Sequence, residues 1–178
     1  LEVGEPDFKP PKEVKTALAE VYDKGYGKYG SPKGITELRK FLAETKDDEE
    51  GVRCTEENIM ICPGARFAVY LAINTLLNPG DEIIVIEPAW PAYKDCALNA
   101  GIKVRTIKTT LETKWEPSIE QINNAINENT KMIVLNYPNN PTGKILPEKL
   151  LDDIIQTAKE HDLYVLSDEI YEDYYMSE

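Results

Sequence analysis

The chain has 178 residues, of which 42% are apolar and 29% are charged, a composition that excludes disordered and fibrous proteins. Its 20 Lys and Arg stand against 32 Asp and Glu, and the net charge of −12 repels nucleic-acid phosphates and anionic lipid headgroups. No apolar stretch approaches the roughly 20 residues of a membrane-spanning helix. Nucleic acids and membranes are therefore not expected as partners.

The start of the chain and its cysteines bear on its location. Residues Leu1 to Gly4 lack an initiator Met and the basic and apolar regions of a signal peptide. Cys54, Cys62 and Cys96 include no C-x-x-C pair, and their odd number disfavours a disulfide framework and a zinc site alike. We expect a cytoplasmic protein without a metal site, and a chain that is part of a longer one.

The first sixty residues predict two helices separated by a glycine-rich loop. Glu13 to Asp23 has apolar residues at helical spacing after a pair of prolines. Residues 25–34 contain four glycines, which indicates a shaped loop rather than a regular element. Helical spacing resumes at Ile35, and the second helix is expected to end in the charged run Lys46 to Glu50.

Short apolar segments then alternate with segments of helix length. The predicted strands are Asn58–Cys62, Glu82–Ile86, Lys103–Ile107, Lys131–Asn136 and Leu163–Ser167. The predicted helices between them are Ala65–Leu77, Ala92–Ala100, Ser118–Ile126 and Pro147–His161. Such alternation predicts an α/β fold with a mostly parallel sheet flanked by helices. Ligands of these sheets bind beyond the carboxyl ends of the strands, so the residues after each strand are the informative ones.

Two strand ends offer surfaces for a phosphate and a planar ring. Pro63-Gly64-Ala65-Arg66 opens directly into a helix, and small residues there let backbone N–H groups approach an anion. By itself this segment is more simply explained as a turn before a helix. Trp90 lies between alanine and proline at the end of a buried strand, where its flat face can stack on a ring or cover the sheet.

Two further strand ends supply polar groups. Residues 136–143 hold several asparagine amides in a loop rich in proline and glycine, and these amides can donate to a phenolate or a carboxylate. Asp168 directly follows what is predicted to be a buried strand, so it needs a cation, a metal or several donors. Magnesium in a nucleotide hydrolase would require a G-x-x-x-x-G-K-[ST] motif, which the sequence lacks. The other candidate is a protonated pyridine nitrogen.

Taken in order along the chain, these motifs resemble the fold-type I pyridoxal-phosphate enzymes, specifically class I/II aminotransferases of the aspartate or aromatic group. The resemblance is carried by Val3–Phe8, Tyr29–Gly34, Glu37-Leu38-Arg39, Gly64 with Ala68, Asn78–Asp81, Trp90–Tyr93, Asn139–Gly143 and Ser167–Tyr171. It implies that residues 11–178 are the N-terminal part of the cofactor-binding large domain, which is therefore incomplete. Residues 1–10 would lie at the junction of the small domain and the active site.

The resemblance implies a site for pyridoxal 5′-phosphate. The cofactor phosphate would rest on the backbone of Gly64, Ala65 and Arg66, and Trp90 would stack on the pyridine ring. Asp168 would take a catalytic role by pairing with the ring nitrogen, which makes the cofactor an electron sink.

Other residues are assigned by the same resemblance to the cofactor oxygen, the substrate and the neighbouring subunit. Asn140 and Tyr171 would hydrogen-bond the 3′-oxygen of the ring, and Tyr171 counts as catalytic. Gly4, Trp90 and Asn140 would contact the substrate. Tyr29 would reach the cofactor phosphate of the neighbouring subunit, which implies a homodimer.

The family forms a Schiff base with a Lys in an S-x-S-K-like segment that these 178 residues do not contain. The chain alone is therefore expected to be inactive, while its parent would transfer an amino group from an amino acid to a 2-oxo acid. Two alternatives stay open: a C–S β-lyase of the same fold, and a non-catalytic binding domain that retains it. A serine-rich segment ending in Lys beyond Glu178 would favour the enzymes.

Overall fold

The chain divides into two compact units, Leu1–Ile61 and Cys62–Glu178. In this computed structural model, residues 8–51 and 53–174 are described. Within them, no helix is both long and apolar enough to cross a membrane.

The first unit contains the two predicted helices, α1 over Lys12–Asp23 and α2 over Thr36–Glu50. The loop between them ends at Gly34, whose φ of +97° favours glycine. A Cβ at this position would lie 2.6 Å from the Cβ of Ile61, so the close approach also requires glycine. Both helices are confirmed within a few residues.

The predicted strand over Asn58–Cys62 is wrong. Glu56–Asn58 forms a 3-10 helix capped by Thr55, and the residues that follow it have no regular structure. In the described part of the chain, the Ile61 N–H donates to the Lys33 carbonyl at 2.9 Å, outside any ladder of paired strands. An apolar run becomes a strand only where a second strand pairs with it.

The second unit has an α/β fold with a parallel sheet flanked by helices, as predicted. Its four strands are β1 over Glu82–Glu87, β2 over Lys103–Lys108, β3 over Thr130–Asn136 and β4 over Tyr164–Asp168. They are parallel throughout and lie in the order β2-β1-β3-β4. The helices are α3 over Ala65–Leu76, α4 over Ala92–Asn99, α5 over Ile119–Ala125 and α6 over Glu148–Glu160.

The two central strands, β1 and β3, are buried on both faces. On one face, Val85 packs in a cluster with Ile73 of α3 and Tyr93 of α4. On the other, Ile84 packs in a second cluster with Ile154 of α6. Because successive strand side chains point to opposite faces, these strands are continuously apolar rather than alternating.

The edge strand β4 differs from the prediction of a buried strand. Tyr164 is 49% exposed and Val165 is also exposed, whereas Asp168 at the end of β4 is buried. β4 pairs only with β3 among the described strands, so its outer side lacks a neighbour there.

The sheet order changes direction between β1 and β3. A crevice beyond the carboxyl ends of the strands is expected at such a point. The ends of β1, β3 and β4 bring residues 87–90, 136–143 and 168–171 to the same edge of the sheet.

Candidate functional site

The N-terminus of α3 forms one side of the candidate site. Gly64 is the N-cap residue, with a φ of +91°, and Ala65 and Arg66 begin the helix. No side chain caps this end, and the first turn carries no acidic residue. Backbone N–H groups at the start of a helix of 12 residues favour an anion, so the segment suits the predicted phosphate.

Trp90 follows β1 and contacts two side chains of the site. The guanidinium carbon of Arg66 lies 4.9 Å from the centroid of the Trp90 ring, within the range of a cation–π contact. The Tyr93 ring meets Trp90 edge-on at 5.5 Å between centroids. Sequence reasoning assigned Arg66 a role only through its backbone, whereas its side chain also contacts the predicted ring-stacking residue.

Asp168 is 9% exposed, and its carboxylate accepts two hydrogen bonds. The Tyr93 hydroxyl donates to Oδ2 at 2.5 Å, and the Ile170 N–H donates to Oδ1 at 3.3 Å. Across residues 8–51 and 53–174, no Lys, Arg or His forms an ion pair with this carboxylate. The two donors are neutral, so the buried negative charge has room for a cationic ligand.

Asn136, at the end of β3, joins Asp168 to the loop that carries Asn140. Its side-chain N–H donates to the Asp168 carbonyl at 3.0 Å, and its Oδ1 accepts the Asn140 backbone N–H at 3.0 Å. The Asn140 amide in turn makes a long hydrogen bond of 3.5 Å to the Tyr171 hydroxyl. Asn140 and Tyr171, both predicted to bind one cofactor oxygen, therefore lie side by side.

The neighbouring Asn139 serves the loop itself. Its amide donates to the Pro88 carbonyl at 3.3 Å, and its Oδ1 accepts the backbone and hydroxyl of Thr142 at 3.1 and 2.7 Å. Asn139 is buried, and these bonds join the loop after β3 to the loop after β1. It fixes the backbone from which Asn140 projects.

A cavity of about 270 Å³ opens beside Asn140 and Tyr171. Its wall is completed by Tyr174 and the backbone turn at Pro138, Pro141 and Gly143. The volume lies just below the range of roughly 300–1,000 Å³ that is usual for small-molecule sites.

The structure brings most of the predicted site residues into a single series of contacts. In order, the series is Arg66, Trp90, Tyr93, Asp168, Asn136, Asn140 and Tyr171. Tyr29 belongs to the first unit, where its side chain is fully exposed in the loop between α1 and α2. Gly4 lies outside the described residues.

Sequence reasoning missed two members of this series, Tyr93 and Asn136. Tyr93 is 75 positions from Asp168 along the chain, and Asn136 is 32 positions from it. Tyr93 ends the Trp90–Tyr93 motif, and Asn136 begins the loop at residues 136–143. Their position at the ligand edge of the sheet was the available signal, but their bonds to Asp168 depend on how β1, β3 and β4 are ordered.

The family model for class I and II aminotransferases matches residues 1–178. The chain belongs to this family. Among curated relatives, the aspartate/prephenate aminotransferase of Thermus thermophilus is 41% identical to this chain over 172 residues. The match covers 97% of this chain and 45% of the relative.

Solved aminotransferases have the same fold. A double mutant of the Thermus thermophilus aspartate aminotransferase has a TM-score of 0.95 at 40% identity, covering 100% of this chain and 47% of the other. The aromatic aminotransferase of Pyrococcus horikoshii has a TM-score of 0.94 at 32% identity, covering 99% and 48%. The chain spans less than half the length of the relatives it matches.

Proposed function

We propose that the protein to which this chain belongs is a pyridoxal-phosphate-dependent aminotransferase, which transfers an amino group from an amino acid to a 2-oxo acid. The observation that carries the proposal is the Asp168 carboxylate, buried at the ligand edge of the sheet with two neutral donors. A protonated ring nitrogen would supply the positive charge that no described residue provides to this carboxylate. Membership of the aminotransferase family supports the same conclusion.

The donor set of the described residues fits the cofactor. The N-terminus of α3 at Gly64, Ala65 and Arg66 would hold the phosphate, and the face of Trp90 would hold the ring. When bound, pyridoxal phosphate supplies an electron-withdrawing ring that stabilises negative charge at the α-carbon of the substrate. Asp168 would keep the ring nitrogen protonated, and this requires the carboxylate to stay ionised and correctly aimed.

Asn140 and Tyr171 would orient the ring from its oxygen-bearing side. Their side chains are 3.5 Å apart and border the cavity, so both can reach a single ligand oxygen. Each can donate a hydrogen bond, which would stabilise that oxygen in its anionic form. We assign Asn140 and Trp90, together with Gly4, to substrate contact as well.

The names of the relatives suggest substrates and assembly for this protein. Aspartate, prephenate and aromatic compounds appear in those names, so we propose acidic or aromatic amino acids as amino donors. We also propose a homodimer in which Tyr29 contacts the partner's cofactor phosphate, in keeping with the full exposure of its side chain here. We place the protein in the cytoplasm, on the cysteine pattern.

The experiment is an assay of the purified full-length protein with pyridoxal phosphate. Aspartate or phenylalanine would be paired with 2-oxoglutarate, and the new amino acid and new 2-oxo acid would both be quantified. Equal amounts of the two products support amino transfer. Release of ammonia and a thiol from a thioether amino acid, without transfer, would instead indicate the β-lyase. Cofactor binding without either reaction would indicate the non-catalytic domain.

A further inference from the structure

We propose that Tyr93 is a positioning residue for the ring-binding pair, with its hydroxyl aiming the Asp168 carboxylate and its ring setting the plane of Trp90. This inference rests on the proposed function, because it concerns how two residues receive the cofactor ring. It assigns a role to a side chain that would touch neither the cofactor nor the substrate.

The Tyr93 hydroxyl donates a hydrogen bond to the Asp168 carboxylate. At 2.5 Å, the bond from the Tyr93 hydroxyl to Oδ2 is short, as expected for a donor facing a charged acceptor. The second bond to the carboxylate, from the Ile170 N–H, comes from the same turn and moves with it. Within the described residues, Tyr93 is thus the only side chain that hydrogen-bonds the carboxylate from a different element.

Tyr93 is rigidly placed. It lies in the first turn of α4, is 1% exposed, and packs in the core cluster with Ile73 and Val85. A side chain enclosed in this way is held by close packing on its sides. Its hydroxyl is therefore a fixed point against which the end of the edge strand β4 is aligned.

The ring of Tyr93 links this fixed point to the stacking residue. Its plane stands at 85° to that of Trp90, an edge-to-face arrangement that constrains the tilt of the indole. One side chain therefore contacts both the residue assigned to the ring face and the residue assigned to the ring nitrogen. A change in its position would alter both together.

The protonation state of Tyr93 agrees with a donor role. Burial, the adjacent Asp168 carboxylate and Tyr171 raise the pKa of its hydroxyl well above the ordinary value. It consequently keeps its proton over the pH range in which enzymes work. The Tyr93 hydroxyl is therefore the donor of this hydrogen bond.

A core tyrosine that only fills space would be replaced by phenylalanine without consequence for ligand selectivity. The test is therefore Tyr93→Phe in the full-length protein, with dissociation constants measured for two ligands. One is pyridoxal phosphate, and the other is the analogue with a CH group in place of the ring nitrogen. The matched control is Tyr137→Phe, because Tyr137 is partly buried and packs against the other core cluster, so the substitution removes a hydroxyl of the same kind without touching the Asp168 hydrogen bond.

Loss of a hydrogen bond to a charged group is expected to weaken pyridoxal phosphate binding by about 10-fold or more. Binding of the analogue should change by less than about threefold, because it cannot pair with Asp168. In an Asp168→Asn background, adding Tyr93→Phe should have little further effect on either ligand. Tyr137→Phe should leave the ratio of the two affinities unchanged.

If Tyr93→Phe lowers the affinity for both ligands equally, Tyr93 is only a packing residue and the proposal is overturned. Unchanged affinity for both ligands would overturn it as well. If Tyr93→Phe does not fold, the wild-type protein still supplies a measurement. Neutron diffraction of the wild-type holoenzyme locates the proton between the Tyr93 hydroxyl and the Asp168 carboxylate. A proton on Asp168 would contradict the proposal. If the wild-type protein itself fails to bind pyridoxal phosphate, the proposed function fails, a result distinct from unaltered binding by the variant.

Discussion

A carboxylate is buried at the amino end of the strands and another at the carboxyl end, and the two differ in the groups that donate hydrogen bonds to them. Glu82, at the start of β1, is 7% exposed and accepts hydrogen bonds from Arg105 at 2.8 Å, Asn127 at 2.6 Å and Thr130 at 3.2 Å. Asp168, at the end of β4, has a tyrosine hydroxyl and a backbone N–H. The first carboxylate has a cationic partner, Arg105, whereas the donors that the described residues give to the second are both neutral.

This difference predicts that Glu82 serves the stability of the fold, whereas Asp168 serves ligand binding. Removing a carboxylate that is already paired breaks interactions made in the folded protein itself. Removing a carboxylate that pairs with a cationic ligand weakens the complex with that ligand. It also removes an uncompensated buried charge from the ligand-free protein, so the stability of that form does not fall. The two substitutions should therefore have opposite profiles.

The largest effect is expected for Asp168→Asn in the full-length protein. The ring cation would lose its charged partner, and breaking a buried pair costs about 3–5 kcal/mol. We expect kcat/KM for amino transfer to fall by about 100-fold or more, while the free energy of unfolding of the cofactor-free protein does not fall. Steady-state kinetics and urea unfolding measure the two quantities.

The matched control for that substitution is Asp173→Asn, since Asp173 is exposed in the 3-10 helix that follows the site. It should alter neither quantity. A loss of stability in Asp168→Asn as large as the loss of activity would erase the contrast between the two ends of the sheet.

A smaller effect is expected for Glu82→Gln, and on stability alone. The neutral amide loses the charge-assisted bonds to Arg105, whose side chain is 45% exposed and so is partly rehydrated. We expect the free energy of unfolding to fall by about 1–2 kcal/mol, with kcat unchanged. Glu128→Gln, an exposed neighbour at the same end, is the control. Impaired kcat in Glu82→Gln would mean that this carboxylate also serves the site.

The smallest effect is expected in how the free energy of unfolding depends on pH below neutrality, through Glu82. Burial alone would raise the pKa of Glu82, but hydrogen bonds from Arg105 and Asn127 outweigh it, and the pKa lies below the ordinary value. A lowered pKa in the folded state contributes stability above the unfolded-state pKa of about 4.3, and that stability is lost as the pH falls through the folded pKa.

Urea unfolding at a series of pH values from about 6 down to 3 checks this sign. The wild-type protein should lose stability more steeply than Glu82→Gln below about pH 5. Parallel curves would show that Glu82 does not carry the acid sensitivity.

Much of the second unit could be predicted from local sequence. The capping box at Ser118 and Gln121 places the start of α5, and the glycine at position 64 marks the start of α3. Continuous apolar runs at residues 83–86 and 132–135 indicate strands covered on both faces. Each of these signals is contained within a few neighbouring residues.

Features that depend on a distant partner could not be predicted in this way. The run at 58–62 has the composition of a strand but no ladder among the described residues, and Tyr164 is exposed because β4 has only one described neighbour. Asn139 and Asn140 are adjacent and identical in type. Only the fold turns one amide towards the Pro88 carbonyl and the other towards Tyr171.

By itself, the sequence determined the family, the order of strands and helices from residue 65 onward, and the residue types of the candidate site, because motifs and periodicity are local. Tertiary structure decided which of those residues meet. The order β2-β1-β3-β4 brings Tyr93 to Asp168 across 75 positions and, among the residues that the structure describes, gives a cationic partner to Glu82 but not to Asp168. Charge compensation depends on distances in space, and those are set only when the strands take their places in the sheet.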